Sequence, residues 1–395
     1  TKICQNCQKE FTVEPEDFEF YEKIKVPTPT FCPECRMIRR MCFRNEHFLY
    51  KRKDSLTGEI IFSTFSELSP IKVYKKDYWW SDQWDPMDYG QDYNWNKSFF
   101  EQFRELSLEV PWFSRSIMNL VNSDYCANAS DLKNCYLLFD SGPDTENCAY
   151  GAMVNYSKDS FDNYQLHSSE LCYDCFMVYK SYRIFFSAHC YNCQDVYFSQ
   201  NLNNCQNCFA CVNLRNRQYY IFNQPYLKKE YFQKLKKFNI GSYKNTLEFI
   251  QKLKEFQSKF IYKNMHGKKN INVNGDYINY SKNVSNSFMI NNAEGCKYCF
   301  NLNVGPVKDS YEYNGWGENA ELIYESNQTG NNIFRLKFCF MCYPNDYDLE
   351  YCIMCVSSSN LFGCVGLRHK QYCILNKQYT KEEYEELVPK IIEHM

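Results

Sequence analysis

Lys133-Asn134-Cys135-Tyr136, Glu146-Asn147-Cys148-Ala149-Tyr150, Lys158-Asp159-Ser160-Phe161, Glu170-Leu171-Cys172-Tyr173, Tyr191-Asn192-Cys193 and Asn203-Asn204-Cys205 repeat one short motif. A turn-forming residue stands beside Cys or Ser, and an aromatic tends to follow. The central Cys or Ser recur at intervals of thirteen, twelve, twelve, twenty-one and twelve residues. That is a period of about twelve, with the twenty-one read as two units. Recurrence this short, without a helical period, predicts a solenoid of stacked strands. One unit cannot bury its own apolar side, so stacking lets Cys and aromatics form ladders while Asn, Asp and Ser satisfy the turns.

The repeat region occurs twice. CVNLRNRQYYIFN (Cys211–Asn223) returns as CVGLRHKQYCILN (Cys364–Asn376), 153 positions later. The match runs on from Tyr226, Lys228, Glu230 and Tyr231 to Tyr379, Lys381, Glu383 and Tyr384. The fold expected is mostly β, with two duplicated β-solenoid lobes over 112–225 and 265–395. A helix near Pro225 and another over residues 380–393 would cap their last coils. A basic helical linker over 226–264 would join the lobes, with Phe249, Leu253, Phe256 and Phe260 along one helical face.

C-x-x-C also appears within the repeats, for instance at Cys172/Cys175, Cys205/Cys208, Cys339/Cys342 and Cys352/Cys355. Such pairs suit further zinc or a redox dithiol. They also follow the repeat, and equivalent units carry Ser160 or Ser287 instead. A metal ligand cannot become Ser without losing the metal, whereas a small buried ladder residue can.

Ahead of the repeats, Cys4-Gln5-Asn6-Cys7 and Cys32-Pro33-Glu34-Cys35 form two knuckles. Zinc takes four thiolates in a tetrahedron, and each C-x-x-C turn supplies two. Phe11-Thr12-Val13 and Phe18-Glu19-Phe20-Tyr21 alternate like short strands, and Arg36-Met37-Ile38-Arg39-Arg40-Met41 reads as a helix opened by Cys35. Residues 1–53 are therefore expected to form a treble-clef zinc ribbon, with Cys42 in its core.

Residues 54–111 read as a degenerate second ribbon or plain hairpin, then a Trp-rich cap and a helix. Asp54, Thr57, Lys75 and Tyr78 stand where a second ribbon would place its cysteines, and Ile60-Ile61-Phe62-Ser63 has strand character. In WWSDQWDPMDYG (Trp79–Gly90), Trp79, Trp80 and Trp84 suit a plug over the open end of the next domain. The other reading is a stacking platform, with Asp82, Asp85 and Asp88 around a cation. Residues 96–110 have amphipathic helical spacing, with Phe99, Phe100, Phe103 and Leu106 on one face.

The chain has 395 residues and 23 Cys, enough for two or three domains, and 34 Tyr with 31 Phe carry the apolar payload. No stretch has membrane-span or signal-peptide character, and the thiols fit a reducing, cytoplasmic setting. A net charge of −2 hides two basic stretches. One holds Arg36, Arg39, Arg40, Arg44, Lys51 and Arg52; the other, residues 228–269, includes Lys228, Lys229, Lys236 and Lys237.

With the ribbon, the WWSDQWDPMDYG run, the repeats and the LRNRQYYIFN cap, the chain resembles a family of uncharacterised bacterial proteins frequent in candidate-phylum lineages. They pair an N-terminal treble-clef zinc ribbon with Cys/Tyr-rich repeats. Many relatives keep Cys in the second ribbon, where this chain has Asp54, Thr57, Lys75 and Tyr78. The resemblance implies no established activity.

Three functions follow from the residues. A non-catalytic, zinc-containing scaffold would bind structured RNA or the ribosome through the two basic stretches. A protein–protein scaffold would use the solenoid face. An enzyme acting on carbohydrate or thiols finds little support, since the six His are scattered and no nucleophile or phosphate-loop motif occurs. Carboxylates converging across coils would leave no sequence signature.

Overall fold

The computed structural model describes residues 1–45, 47–239 and 241–395. Strands take 39% of the chain and helices 20%, so the protein is mostly β, a solenoid of about 21 turns. Its helices are α1 (Pro15–Ile24), α2 (Pro33–Met41), α3 (Lys76–Trp79), α4 (Phe99–Glu109), α5 (Lys228–Lys237), α6 (Tyr243–Gln257) and α7 (Lys381–His394).

The unit of the solenoid is a triplet, finer than the twelve-residue coil. From Asn119 to Asp140, and again from Asp144 to Phe222, every third residue is left-handed, with φ between +46° and +62°. The residue after each corner points inward. Four triplets close one coil, so strands pair in parallel twelve residues apart, as Tyr182 with Gln194 and Gln194 with Gln206. The interval from Cys172 to Cys193 is accordingly seven triplets rather than two coils. Left-handed backbone costs a non-glycine residue about 1–2 kcal/mol, least for Asn and Asp. This explains the Asn before Cys at Asn134, Asn147, Asn192 and Asn204. Their amides also link coil to coil, as where Asn204 Nδ2 donates to Asn216 Oδ1 at 2.6 Å.

The inward positions show why Cys and Ser exchange. Ser160 Oγ donates to the Lys158 carbonyl at 2.7 Å and accepts from the Cys172 N–H at 3.0 Å. The Cys172 thiol makes the same local reach to the Glu170 carbonyl at 3.6 Å. Either residue fills the corner and satisfies backbone there; Cys adds apolar bulk. The inward side chains form two continuous cores, one per lobe, in which Cys alternates with Leu, Val and Ile.

Each lobe ends the same way. Gln218–Ile221 and Gln371–Ile374 are the last parallel strands, followed by an antiparallel return and then α5 or α7. Asn223 Oδ1 accepts from the Val212 N–H, and its Nδ2 donates to the Val212 carbonyl, both at 2.9 Å. Asn376 does the same to Val365 at 2.8 Å. One side chain thus supplies the peptide group that a further coil would have brought, closing an otherwise open edge.

The segment before the repeats lies mainly on the second lobe. Trp79, Phe99, Leu106, Trp112 and Phe113 share a core with Phe340, Ile353, Phe362, Val365 and Ile391. The Trp-rich run is therefore a cover, placed on the second lobe rather than on the domain that follows it in sequence. Arg368 sits over the Trp79 and Trp84 rings, and Asn376 donates to the Pro86 carbonyl at 3.0 Å. On the first lobe α6 takes the matching role: Phe249 meets Phe198 and Phe209, and Leu253 is buried.

Residues 18–21, expected as a strand, belong to α1. Asp17 accepts from the Glu14 N–H at 3.0 Å, Pro15 fits the first turn, and Lys25 ends the helix in left-handed conformation. The alternation of Phe18, Phe20 and Tyr21 is overridden by this cap. Phe20, Tyr21 and Ile24 turn onto Leu322 and Tyr324, with Phe20 stacked on Tyr311 at 3.8 Å.

Candidate metal centre and the arginine helix

Cys4, Cys7, Cys32 and Cys35 bring their sulfur atoms within 4.8 Å of one another, and Cys7 and Cys32 are 3.8 Å apart. Among the described residues this is the one close group of three or more metal-ligating side chains. Lys2–Ile3 pairs with Glu10–Phe11, holding the first knuckle in a hairpin turn. Cys32 precedes Pro33, the first residue of α2, so the helix begins just before Cys35 rather than at it. Burial of Cys4 opposes ionisation, but N–H groups of Cys7, Cys32 and Asn6 aim at its sulfur and lower its pKa to about 6. A preformed set of donors around a thiolate suits a cation-bound sulfur.

A second ribbon follows, with a carboxylate in the place of the metal. Cys4 N–H donates to the Lys9 carbonyl and Gln8 N–H to the Cys4 carbonyl; Asp54 N–H donates to Glu59 and Gly58 N–H to Asp54 in the same pattern. Arg52 and Lys53 pair with Ile61 and Ile60, repeating the first hairpin. Asp54 Oδ1 accepts from the N–H groups of Leu56 and Thr57 at 2.9 and 2.8 Å, and Oδ2 from that of Lys75 at 2.5 Å. These are the counterparts of the three donors to Cys4. Lys75 precedes α3 as Cys32 precedes α2.

Two of the three arginines of α2, Arg36 and Arg40, do not face solvent. Arg36 is buried and ion-paired with the buried Glu312, and it donates to the Phe31 carbonyl at 2.6 Å. Burial opposes its charge, yet Glu312 beside it raises the Arg36 pKa above the ordinary value. Arg40, also buried, reaches Glu312 at 2.6 Å and Asn314 at 2.5 Å, and Asn327 Nδ2 donates to its carbonyl at 2.9 Å. Arg39, half-exposed, holds Glu325 at 2.5 Å. Burial, with Glu312 adding repulsion, raises the Glu325 pKa. The helix expected to meet phosphates is thus engaged by carboxylates of the second lobe.

The remaining basic residues divide. Arg44 is buried between the lobes, 3.5 Å from Asp140 of the first and above Phe300 of the second. Any Cβ on Gly315 would lie 2.4 Å from the Arg44 guanidinium, so that approach requires glycine. Arg52 is buried and donates to the carbonyls of Ser66 and Ile71. Lys51 is exposed, its ammonium 5.9 Å from the Phe62 ring. Lys228, Lys229, Lys236 and Lys237 are exposed on α5. Asp85 caps a short turn by accepting from Met87 N–H at 2.8 Å and gathers no cation-site partners with Asp82 and Asp88. Cys42, expected in a core, is exposed, whereas the repeat cysteines are all buried and free.

The acidic seat that receives α2 was not legible in the sequence. Glu312 and Glu325 are thirteen residues apart and adjacent only once the coils stack, through the bridge between Tyr311 and Tyr324. Among the described residues no helix is long and apolar enough to cross a membrane. No protein-family model matches the chain and no curated protein does, so the candidate site is read from its own geometry.

Proposed function

We propose that this protein is a non-catalytic, cytoplasmic binding scaffold, stapled at one end by zinc, whose solenoid faces hold protein helices. The docking of α2 carries the reading: a stacked pair of carboxylates, flanked by aromatics, takes a helix through its arginines. Such a face is extended, rigid and repetitive, which suits recognition of chain segments better than turnover of a small substrate. Zinc is the ion proposed because bonds of about 2.3 Å in a tetrahedron set the sulfurs about 3.8 Å apart. A closed four-thiolate shell leaves no open position for a substrate, so its role is structural. Elemental analysis of native protein should return one zinc per chain, lost in Cys32→Ser.

A second reading, binding to structured RNA or the ribosome, draws on the exposed lysines of α5 and α6. Among the described residues none of Lys228, Lys229, Lys236 and Lys237 is in an ion pair. Sedimentation of native lysate separates the two readings. A complex that survives ribonuclease supports the protein scaffold; one that dissolves with ribonuclease supports RNA. Migration as a free chain in both cases overturns both.

A further inference from the structure

We infer that the first lobe carries a second seat of the same kind, open in this chain, for an arginine-bearing helix of a partner protein. The inference rests on the scaffold reading above. Its ground is the duplication of the lobes. Tyr351 lies 153 positions after Phe198, and the strand pairings lead back from each one coil at a time. In the second lobe the corner column runs from Tyr351 through Phe338, Glu325 and Glu312 to Tyr298. In the first lobe it runs from Phe198 through Phe186, Asp174 and Asp162 to Tyr150. Asp162 and Asp174 are therefore the counterparts of Glu312 and Glu325, the carboxylates that hold α2.

The two pairs differ in occupancy. Glu312 and Glu325 are buried beneath Arg36, Arg39 and Arg40, whereas Asp162 and Asp174 are exposed. Among the described residues neither aspartate side chain has a hydrogen-bond or ion-pair partner. They line a groove of about 960 Å³ whose wall also includes His47 and Leu253 of α6. Partial burial, with Asp162 adding repulsion, raises the Asp174 pKa. Two adjacent carboxylates in an aromatic trough favour a cation that delivers its own apolar surface.

The aromatic part of the footprint is repeated as well. Tyr311 and Tyr324 of the second lobe are covered by Phe20 and Tyr21 of α1, leaving Tyr324 only 2% exposed. Their counterparts Phe161 and Tyr173 are 45% and 42% exposed. One substitution within the seat defines its occupant further. Asn314 and Asn327, which bond Arg40, are replaced by Tyr164 and Phe176 through the same pairings. The open seat therefore suits a helix with arginines one turn apart and apolar residues between them, held without amide contacts to its backbone.

The test uses the full-length, zinc-loaded protein and a fluorescent peptide of residues 30–45, made with Cys32→Ser, Cys35→Ser and Cys42→Ser and carrying a photo-crosslinker. The peptide should bind at low salt and weaken as salt rises. Binding should fall about tenfold or more in Asp162→Asn/Asp174→Asn, since two charge-assisted contacts are lost. Asn accepts the same left-handed corner, and an unchanged circular dichroism spectrum checks the fold. Changing Arg36, Arg39 and Arg40 of the peptide to Gln should abolish binding, and crosslinks should fall on Tyr164, Phe176 or Phe186. Equal affinity for the wild type and the double variant, crosslinks on the second lobe, or no binding at low salt would overturn the seat. So would calcium saturating the aspartates while the peptide fails to bind. If ribonuclease-resistant complexes persist without peptide binding, the seat falls and the scaffold reading stands; if both are missing, both fall.

Discussion

Asp54 accepts a hydrogen bond from the backbone N–H of Lys75 at 2.5 Å, joining the two knuckle turns of the second ribbon. The equivalent contact in the first ribbon runs from the Cys32 N–H to the Cys4 sulfur at 3.2 Å. A carboxylate oxygen pair can reach both turns at once because its two acceptors point to different donors. Substitution of Asp54 by Ala removes the buried acceptor shared by three N–H groups of partly exposed turns. At about 0.5–1.5 kcal/mol net for each hydrogen bond lost, the second ribbon should lose roughly 2–4 kcal/mol. Hydrogen exchange over residues 50–78 should rise sharply in Asp54→Ala while the solenoid amides stay protected. The backbone identity of the ribbons also predicts a gain of function. Asp54→Cys with Thr57→Cys, Lys75→Cys and Tyr78→Cys should raise the metal content from one to two ions per chain.

Glu312 is the hinge of the α2 seat, since it neutralises both Arg36 and Arg40 in a buried setting. Removing one partner of a buried pair costs about 3–5 kcal/mol, because the other charge stays desolvated. Glu312→Gln should therefore release the N-terminal module, seen as new proteolytic cleavage near residues 25–45. Replacing Arg36 and Arg40 by Met together with Glu312→Met should recover much of that stability. If Glu312→Gln leaves cleavage unchanged, the pair is not what holds the module.

The repeat thiols should be silent toward alkylation in native buffer. Cys172, Cys193 and Cys205 are buried, and burial pushes the Cys172 thiol up to about 12. Thiolate is the reacting form, so burial opposes labelling at all three and ionisation opposes it further at Cys172. Cys42 is exposed and should label first. Mass spectrometry after brief iodoacetamide treatment should find Cys42 modified and the repeat cysteines free. Rapid native labelling of most repeat cysteines would instead mark them as exposed redox or metal chemistry.

The solenoid was legible because its corners and ladders write themselves into neighbouring residues. Asn before Cys marks a left-handed corner followed by an inward side chain, and both facts are local. The four-cysteine cluster was legible for the same reason, since each knuckle spans four residues. The triplet was missed because Tyr150, Met153 and Phe186 occupy left-handed corners that propensity assigns to Asn or Gly. There, packing between coils outweighs the local cost. Arg36 and Arg40 of α2, read from the sequence as phosphate-facing, turn inward for a non-local reason. Its arginines are answered by Glu312 and Glu325, some 270 to 290 residues away, as the Arg40–Glu312 separation of 272 illustrates. Charge counted along the chain does not reveal which carboxylate will stack beneath it.

The contact between the lobes should be acid-sensitive through one histidine. His189 of the first lobe stacks on His266 of the second at 5.0 Å and on Tyr277 at 5.8 Å. It is buried, and among the described residues its Nδ1 has no hydrogen-bond partner. Burial first, then the charges of His266 and Lys263, lowers its pKa from 6.5 to about 4, with Asp276 opposing. In the unfolded chain the ring titrates near its ordinary value. Below that value the unfolded state binds a proton that the folded state refuses, so stability rises with pH across this window. Above about 6.5 His189 is neutral in both states and contributes no pH dependence; stability should fall as the pH drops from there toward 4. A shift of this size corresponds to an upper bound of about 3 kcal/mol. His189→Phe keeps a flat ring against His266 and Tyr277 but has no proton to refuse. Denaturant unfolding at pH 7.0 and pH 4.5 should therefore show a larger stability loss for the native chain than for His189→Phe. Equal losses in the two proteins would mean that acid acts elsewhere, on carboxylates such as Asp276 that accept bonds from His266.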